Sequence, residues 1–313
     1  MNRFESIASN GVTWVDIEDP TQSDIDILAR DYPFHPLNLE DCLSKRQLTK
    51  MDQHEDYLFV LLHFPVSVAD KGDVRFSQVS MFLGRNYLVT LHQGDLKSLS
   101  DIFQTCKCND NHAQTIIKNS SSFLLYCIID RIIDHLFPIM DKLLSDLDYI
   151  EDKVFDEKIS AMREVNLLRR EINDFRRIIY PLRKLIADLS VKIERFGGHE
   201  TSAYFSDVKD HIEKAWDILE GTKETVEIFK DTNYILTTEK ANQILAVLTI
   251  IFTLTIPIVT LGTVYGMNIN IPGSINAEPW TFLGTYTTFW IVLIVSAAPT
   301  LMMTWYFRRQ GWL

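Results

Sequence analysis

Tyr265-Gly266-Met267-Asn268 lies within a stretch, residues 241–277, that contains no charged residue. Glycine lets the backbone turn and approach a neighbour closely, and asparagine offers a neutral carbonyl oxygen that can accept hydrogen bonds from a hydrated cation. The same pair also ends ordinary helices, so the tripeptide acquires meaning from what precedes it. Counting about 100° per residue from Asn242, Thr249 falls near ~340°, Thr253 near ~20° and Thr260 near ~0°. Leu245 and Ile256 flank this line at about 300° and about 320°, and Leu248 lies beside it. One narrow polar stripe therefore runs along an otherwise apolar helix. Its hydroxyls can bond back to their own helix or to a second span, or they can face water in a pore. A single helix encloses nothing, so the pore reading requires several copies of the chain.

Other chemistry is sparse. Cys106-Lys-Cys108 has the form of half a zinc site, but no second Cys pair or spaced histidine pair completes it, and the four cysteines, Cys42 and Cys127 included, are expected to be reduced and structural. The chain contains no GxxxxGK[ST] phosphate loop, so neither ATP-driven transport nor an enzymatic role is expected. No apolar run follows Met1, and no cleaved signal peptide is expected.

The elements that must carry the stripe follow from hydropathy and charge. All but two of the 31 basic residues and all but one of the 42 acidic residues precede position 241, and the formal net charge is −11. An acidic soluble part joined to an almost uncharged tail argues against nucleic-acid binding. Residues 241–265 and 282–307 are each long enough to cross a ~30 Å hydrocarbon layer as a helix. Lys223, Lys230 and Lys240 precede the first span and Arg308-Arg309 follow the second, whereas the connecting loop has no basic residue. Both termini are expected to be cytoplasmic and the loop external. Trp280, Trp305 and Tyr306 lie near the span ends, where amphipathic rings favour the interface.

In the soluble part, residues 12–17, 57–64, 76–83 and 87–92 read as strands, with 79–83 and 87–91 as a hairpin; residues 22–31 and 36–43 read as helices. From 120 to 196 apolar residues recur at three- and four-residue steps, with Pro138 and Pro181 expected to kink or interrupt the helices. From Tyr204 to Tyr265 no proline intervenes before Pro257, which predicts one long helix entering the first span, with a break near Gly221 as the alternative. The expected division is a cytosolic α/β domain (1–118), an antiparallel helical layer (119–200), a stalk helix continuing into the first span (203–265), an external loop (266–281), the second span (282–307) and a basic cytosolic tail (308–313).

The chain resembles the CorA divalent-cation transporters, the two-transmembrane GxN family. The resemblance is carried by Tyr265-Gly266-Met267-Asn268, by Leu248-Thr249-Ile250-Ile251 with Pro257, and by the basic pair before Trp312-Leu313. It continues through Trp14-Val15-Asp16, His35-Pro36-Leu37 with Glu40-Asp41, Asp56-Tyr57-Leu58-Phe59 with His63, and Tyr204-Phe205-Ser206-Asp207-Val208. The implied fold class is an α+β cytosolic domain with a long helical stalk and two C-terminal transmembrane helices, assembled as a funnel-shaped homopentamer in the plasma or inner membrane. The resemblance implies passive, channel-like Mg²⁺ uptake, with Gly266, Met267 and Asn268 as the selectivity filter. Asn242, Leu245, Leu248, Thr249, Thr253, Ile256 and Thr260 would line or gate the pore. The family often has Met at the positions of Leu245 and Ile256, and its pore threonine aligns with Val259 rather than Thr260. It also implies that Glu40, Asp41 and Asp207, with Asp130 at a second site, bind a regulatory divalent cation between neighbouring subunits. Co²⁺, Ni²⁺ and Zn²⁺ are alternative substrates: Ile271-Pro272-Gly273 is similar to zinc-transporting relatives, while Gly-Met-Asn points to magnesium. A reading from another class is a membrane-anchored coiled-coil sensor without a pore.

Overall fold

The computed structural model describes residues 4–44, 47–66, 75–118, 120–155, 161–197, 199–267, 272 and 280–311. The chain forms two compact units, Met1–Asn233 and Tyr234–Leu313.

The first unit opens with β1 (Phe4–Ser9) and β2 (Val12–Glu18), then α1 (Gln22–Asp31) and α2 (Pro36–Leu43). β3 (Lys50–Gln53), β4 (Tyr57–Val66), β5 (Arg75–Gly84) and β6 (Tyr87–His92) follow. The strands form one sheet in the order β1-β2-β6-β5-β4-β3, antiparallel except where β2 pairs with β6. The expected hairpin is β5–β6, with Val79 opposite His92 and Leu83 opposite Leu88. A side chain on Gly84 would run into the Tyr87 ring, so the turn favours glycine there. A buried chain of polar groups fastens the parallel pair: Trp14 Nε1 donates to Thr90 Oγ1 at 3.0 Å, Thr90 donates to Asp16, and Asp16 Oδ2 lies 3.2 Å from His92 Nε2.

Both faces of the sheet are covered. On β4, Leu58, Val60, Leu62 and Phe64 join a core shared with the later helices, while Tyr57, Phe59 and Leu61 pack with α1 and α2 residues such as Leu28 and Leu39. The remaining elements are α3 (Lys97–Cys108), α4 (Asp110–Ile117), α5 (Ser121–Asp134), α6 (Leu136–Phe155), α7 (Met162–Lys192), the single turn α8 (Glu194–Gly197), α9 (His199–Gly266) and α10 (Thr287–Arg309). The break between α5 and α6 falls at His135, just ahead of Pro138, which sits in the first helical turn where no N–H is required. Pro181 lies inside α7 without ending it.

The 68-residue α9 is unbroken at Gly221 and Pro257. In the first unit, Phe205, Val208, Ile212, Ala215, Leu219, Val226 and Phe229 are buried along it at alternating three- and four-residue steps, apart from the gap filled by Thr222. Thr222 returns its hydroxyl to Ile218 O at 2.7 Å, which satisfies that polar group within the seam. Beside the seam, Arg169, Arg176 and Arg183 of α7 pair with Glu227, Glu220 and Glu213 of α9, each at 2.6 Å. The guanidinium groups of Arg176 and Arg183 also lie 5.4 and 5.6 Å from the Trp216 ring.

In the second unit α10 starts at Thr287, five residues later than hydropathy alone places the span, because Gly284 adopts φ +107° and Thr287 turns its hydroxyl back to Gly284 O. Apolar burial should outweigh the ion pairs in holding α9. In thermal unfolding of the full chain in detergent, Ile212→Ala should cost about 2–5 kcal/mol, and Arg176→Gln about 1 kcal/mol or less.

Candidate ion pathway and acidic metal cluster

Two groups of candidate residues lie in different parts of the chain. In the second unit, Ile250 is 8% exposed, and Thr253, Leu254, Pro257 and Leu261 are half-buried. This side of α9 meets α10, where Thr300 Oγ1 donates to Leu254 O at 3.2 Å. Thr253 is thus at the edge of the helix pair. Asn242, Leu245, Leu248, Thr249, Ile256 and Thr260 are all exposed. Thr249 donates to Leu245 O and Thr253 to Thr249 O, both at 2.7 Å. These hydroxyl protons are satisfied within the helix, and oxygen lone pairs remain to receive hydrogen bonds from outside. The helix ends at Gly266, and Met267 N donates to Val264 O at 3.3 Å. Asn268 and Ile271, with Gly273, lie outside the described residues.

In the first unit, Asp130 of α5 and Asp207 and His211 of α9 offer ligand atoms that lie within 4.8 Å of one another. Four residues separate Asp207 from His211, which places both on one helical face. His211 Nδ1 is 3.6 Å from Asp130 Oδ1 and 3.8 Å from Asp134 Oδ1. Both Asp130 Oδ1 and His211 Nδ1 are buried without a hydrogen bond, so the ion-pair separation does not satisfy either atom. Burial, with Asp134 and Asp207 nearby, raises the Asp130 carboxyl above its ordinary range despite the opposing effect of His211. Burial first, and then Asp130 and Asp207, push the Tyr126 hydroxyl up to about 12. One nitrogen and two carboxylates, with Asp130 Oδ1 and His211 Nδ1 unbonded, make a donor set suited to a divalent cation.

The structure brings Asp130 and Asp207 together and adds His211, which the sequence reading missed. The Asp207-x-x-x-His211 spacing is the signal that identifies it once the helix is assigned. Glu40 and Asp41 are not part of this cluster. Asp41 is buried on α2, where Lys50 Nζ approaches it at 2.6 Å and Asp52 at 2.9 Å, and its backbone oxygen accepts from Gln78 Nε2 at 3.1 Å. Glu40 is exposed on the same helix.

An Asp130 carboxyl with a raised pKa favours the folded state when protonated, and that contribution is lost as pH rises through the folded value. Above that pH, Asp130→Asn should raise the cation-free unfolding midpoint of the full chain, and the difference should shrink on acidification. Mg²⁺ at about ten times its Kd should stabilise the wild type by ~1.4 kcal/mol and the variant by less; calorimetry with and without Mg²⁺ measures both effects.

The sequence model of the CorA-like Mg²⁺ transporter proteins matches residues 9–309. The Bacillus subtilis protein YfjQ, whose name assigns it to metal ion transport, is 29% identical over 96% of this chain and 89% of its own length. The cobalt/magnesium transport protein CorA of Thermotoga maritima is 27% identical over 97% of this chain and 84% of its own. The complete CorA magnesium transporter structure from Methanocaldococcus jannaschii superimposes with a TM-score of 0.78 at 20% identity, covering 99% of this chain and 94% of that one. Its likeness extends through the mixed sheet, the long helix and the two apolar C-terminal helices. With the family model spanning nearly the whole chain, this protein belongs to the CorA-like Mg²⁺ transporter family, membrane proteins that carry divalent cations and are not enzymes.

Proposed function

We propose that the chain forms a channel-like homopentamer that admits Mg²⁺, and with it Co²⁺, through a pore lined by α9. The observation that carries this reading is the exposed stripe on α9, which lies to one side of the contact with α10 and which none of the described residues covers apart from Thr253 at its edge. Leu245 is 59% exposed, Leu248 44% and Ile256 57%. The seven-residue line Asn242, Thr249 and Ile256 continues back through Ile235 and Ile228, both 63% exposed. A repeat of this kind is satisfied by parallel copies of the same helix around an axis. A coiled-coil sensor would use the same apolar positions but has no need of Asn242, Thr249 and Thr260 along the seam.

Both termini are cytoplasmic in this arrangement, and the membrane potential supplies ~2.3 kcal/mol per charge per 100 mV, doubled for a divalent ion. Mg²⁺ sheds its water reluctantly, so a ring of Asn268 carbonyls works by receiving hydrogen bonds from the hydrated ion rather than by replacing its shell. Gly266 and Met267 place that ring at the external end of the span. Rings of Leu245, Leu248 and Ile256 close the pore by excluding water. Cytosolic cation held by Asp130, Asp207 and His211, with Glu40 and Asp41 approaching from a neighbouring subunit, favours the closed state and gives negative feedback. Lys50 already neutralises Asp41 within the protomer, which leaves Glu40 as the freer contributor. His211 adds a nitrogen donor, which favours Co²⁺, Ni²⁺ or Zn²⁺ over Mg²⁺ at the regulatory cluster without deciding what passes through the filter.

In proteoliposomes, Asn268→Ala should reduce divalent flux to background while insertion and oligomer size stay unchanged; undiminished flux per oligomer would return Asn268 to the role of a helix cap. Leu248→Asn should hydrate the constriction and raise basal flux at equal reconstitution, measured with a Mg²⁺-sensitive dye, and unchanged or lower flux would remove Leu248 from the gate.

A further inference from the structure

We propose that the C-terminal half of α10 is a binding site for one anionic phospholipid, with an acyl chain along a lateral groove and the headgroup phosphate on Arg309, Arg308 contributing charge from the same turn. Pro299, Met302, Met303, Trp305 and Tyr306 line a groove of about 330 Å³ that is almost entirely apolar. Pro299 lies inside the helix at the upper end of the groove and has no backbone N–H to donate to the preceding turn. Met302 and Met303 supply unbranched, adaptable side chains suited to a flexible hydrocarbon partner.

The groove lies next to the side of α10 that packs within the protomer and not on it. Ser296 and Phe307 are buried and Thr300 bonds to Leu254 O, which marks the inner side. Met302 is 71% exposed and Tyr306 49%, on the side next to it. From Pro299 to Arg308 the helix rises about 14 Å, close to half of a ~30 Å hydrocarbon layer. The groove therefore has the depth of one leaflet, and it ends where a headgroup would lie.

Charge selects the headgroup. Arg308 and Arg309 occupy the last turn, and among the described residues neither is in an ion pair. Arg309 lies 5.5 Å from the Trp305 ring, which holds its guanidinium beside the mouth of the groove. The Arg309 guanidinium at the mouth of an apolar slot, with Arg308 adding charge from the same helical turn, fits a phosphodiester carrying net negative charge better than a zwitterion, and arginine binds phosphate oxygens in a two-pronged manner. This inference needs the helices to lie in a bilayer and is independent of which ion the protein carries.

The test uses the full chain in bilayer nanodiscs and quenching of tryptophan fluorescence by dibrominated lipids, with Trp305→Phe defining the Trp305 signal. Dibromo-phosphatidylglycerol should quench Trp305 with an affinity on the order of tenfold above dibromo-phosphatidylcholine. That ratio should fall below about twofold in Arg308→Gln/Arg309→Gln, and in the wild type at about 0.5 M salt. Arg308→Lys/Arg309→Lys should keep most of it. The salt arm needs no variant and stands even where the glutamine variant assembles poorly. Equal quenching by the two lipids in the wild type, or a ratio unchanged by salt, overturns the proposal. So does displacement of the lipid by soluble glycerol phosphate, which would make this a phosphate site. Absence of Trp305 quenching by either lipid, the result expected if a second copy of the chain covers the groove, overturns it as well.

Discussion

The register of α9 is the constraint on which the other features depend. Its seam in the first unit alternates three- and four-residue steps from Phe205 to Phe229, and each apolar member of it named above is 4% exposed or less. Burial of that seam against α5, α6 and α7 sets the rotation of the helix. The rotation in turn turns Asp207 and His211 toward Asp130. A shift of one residue would turn the seam by about 100° and carry the carboxylate and imidazole away from α5. The metal cluster is therefore a product of hydrophobic packing: the underbonded atoms of Asp130 and His211 are held near each other by side chains that have no part in ion chemistry.

How legible this was in the sequence differs from element to element. The two apolar C-terminal helices and the long helix could be read directly, apart from the start of α10, because uncharged stretches and heptad spacing persist over many turns. The β5–β6 hairpin was legible from its turn residues, Gly84-Arg85-Asn86. β1 and β3 were not. β1 is partly exposed on an edge, and β3, Lys50–Gln53, contains three polar residues whose alternation resembles a loop. β4 showed no alternation for a different reason: both faces of the sheet are covered, so Leu58 through Leu62 are apolar whichever way they point. The start of α10 was misplaced because Phe282 and Leu283 are apolar enough to join a span, while the backbone at Gly284 turns instead.

The same contrast holds for the candidate site. Asp130 and Asp207 came from resemblance, since no spacing rule links residues so far apart in the chain. Only the packing of α5 against α9 juxtaposes them, and that packing also recruits His211. Asp41 shows the opposite case. Its carboxylate was visible in the sequence, but its engagement with Lys50 depends on the pairing of β3 with β4 and on the approach of α2, neither of which leaves a local signature. The threonines of the stripe are intermediate: periodicity placed them on one line, whereas the return of Thr249 and Thr253 hydroxyls to their own helix is a choice of rotamer that sequence does not record.

The ladder of Arg169–Glu227, Arg176–Glu220 and Arg183–Glu213 has a mechanical consequence. Its rungs repeat every seven residues on both helices, an interval of about 10.5 Å along the axis. Axial slip of α9 along α7 by any smaller amount separates all three pairs together, and slip by a full interval leaves one rung without a partner. The ladder thus reinforces the axial register that the apolar seam sets, each partly exposed pair adding about 1 kcal/mol or less. Bending or rolling in place lengthens the rungs only gradually and keeps the Trp216 ring between two guanidinium groups.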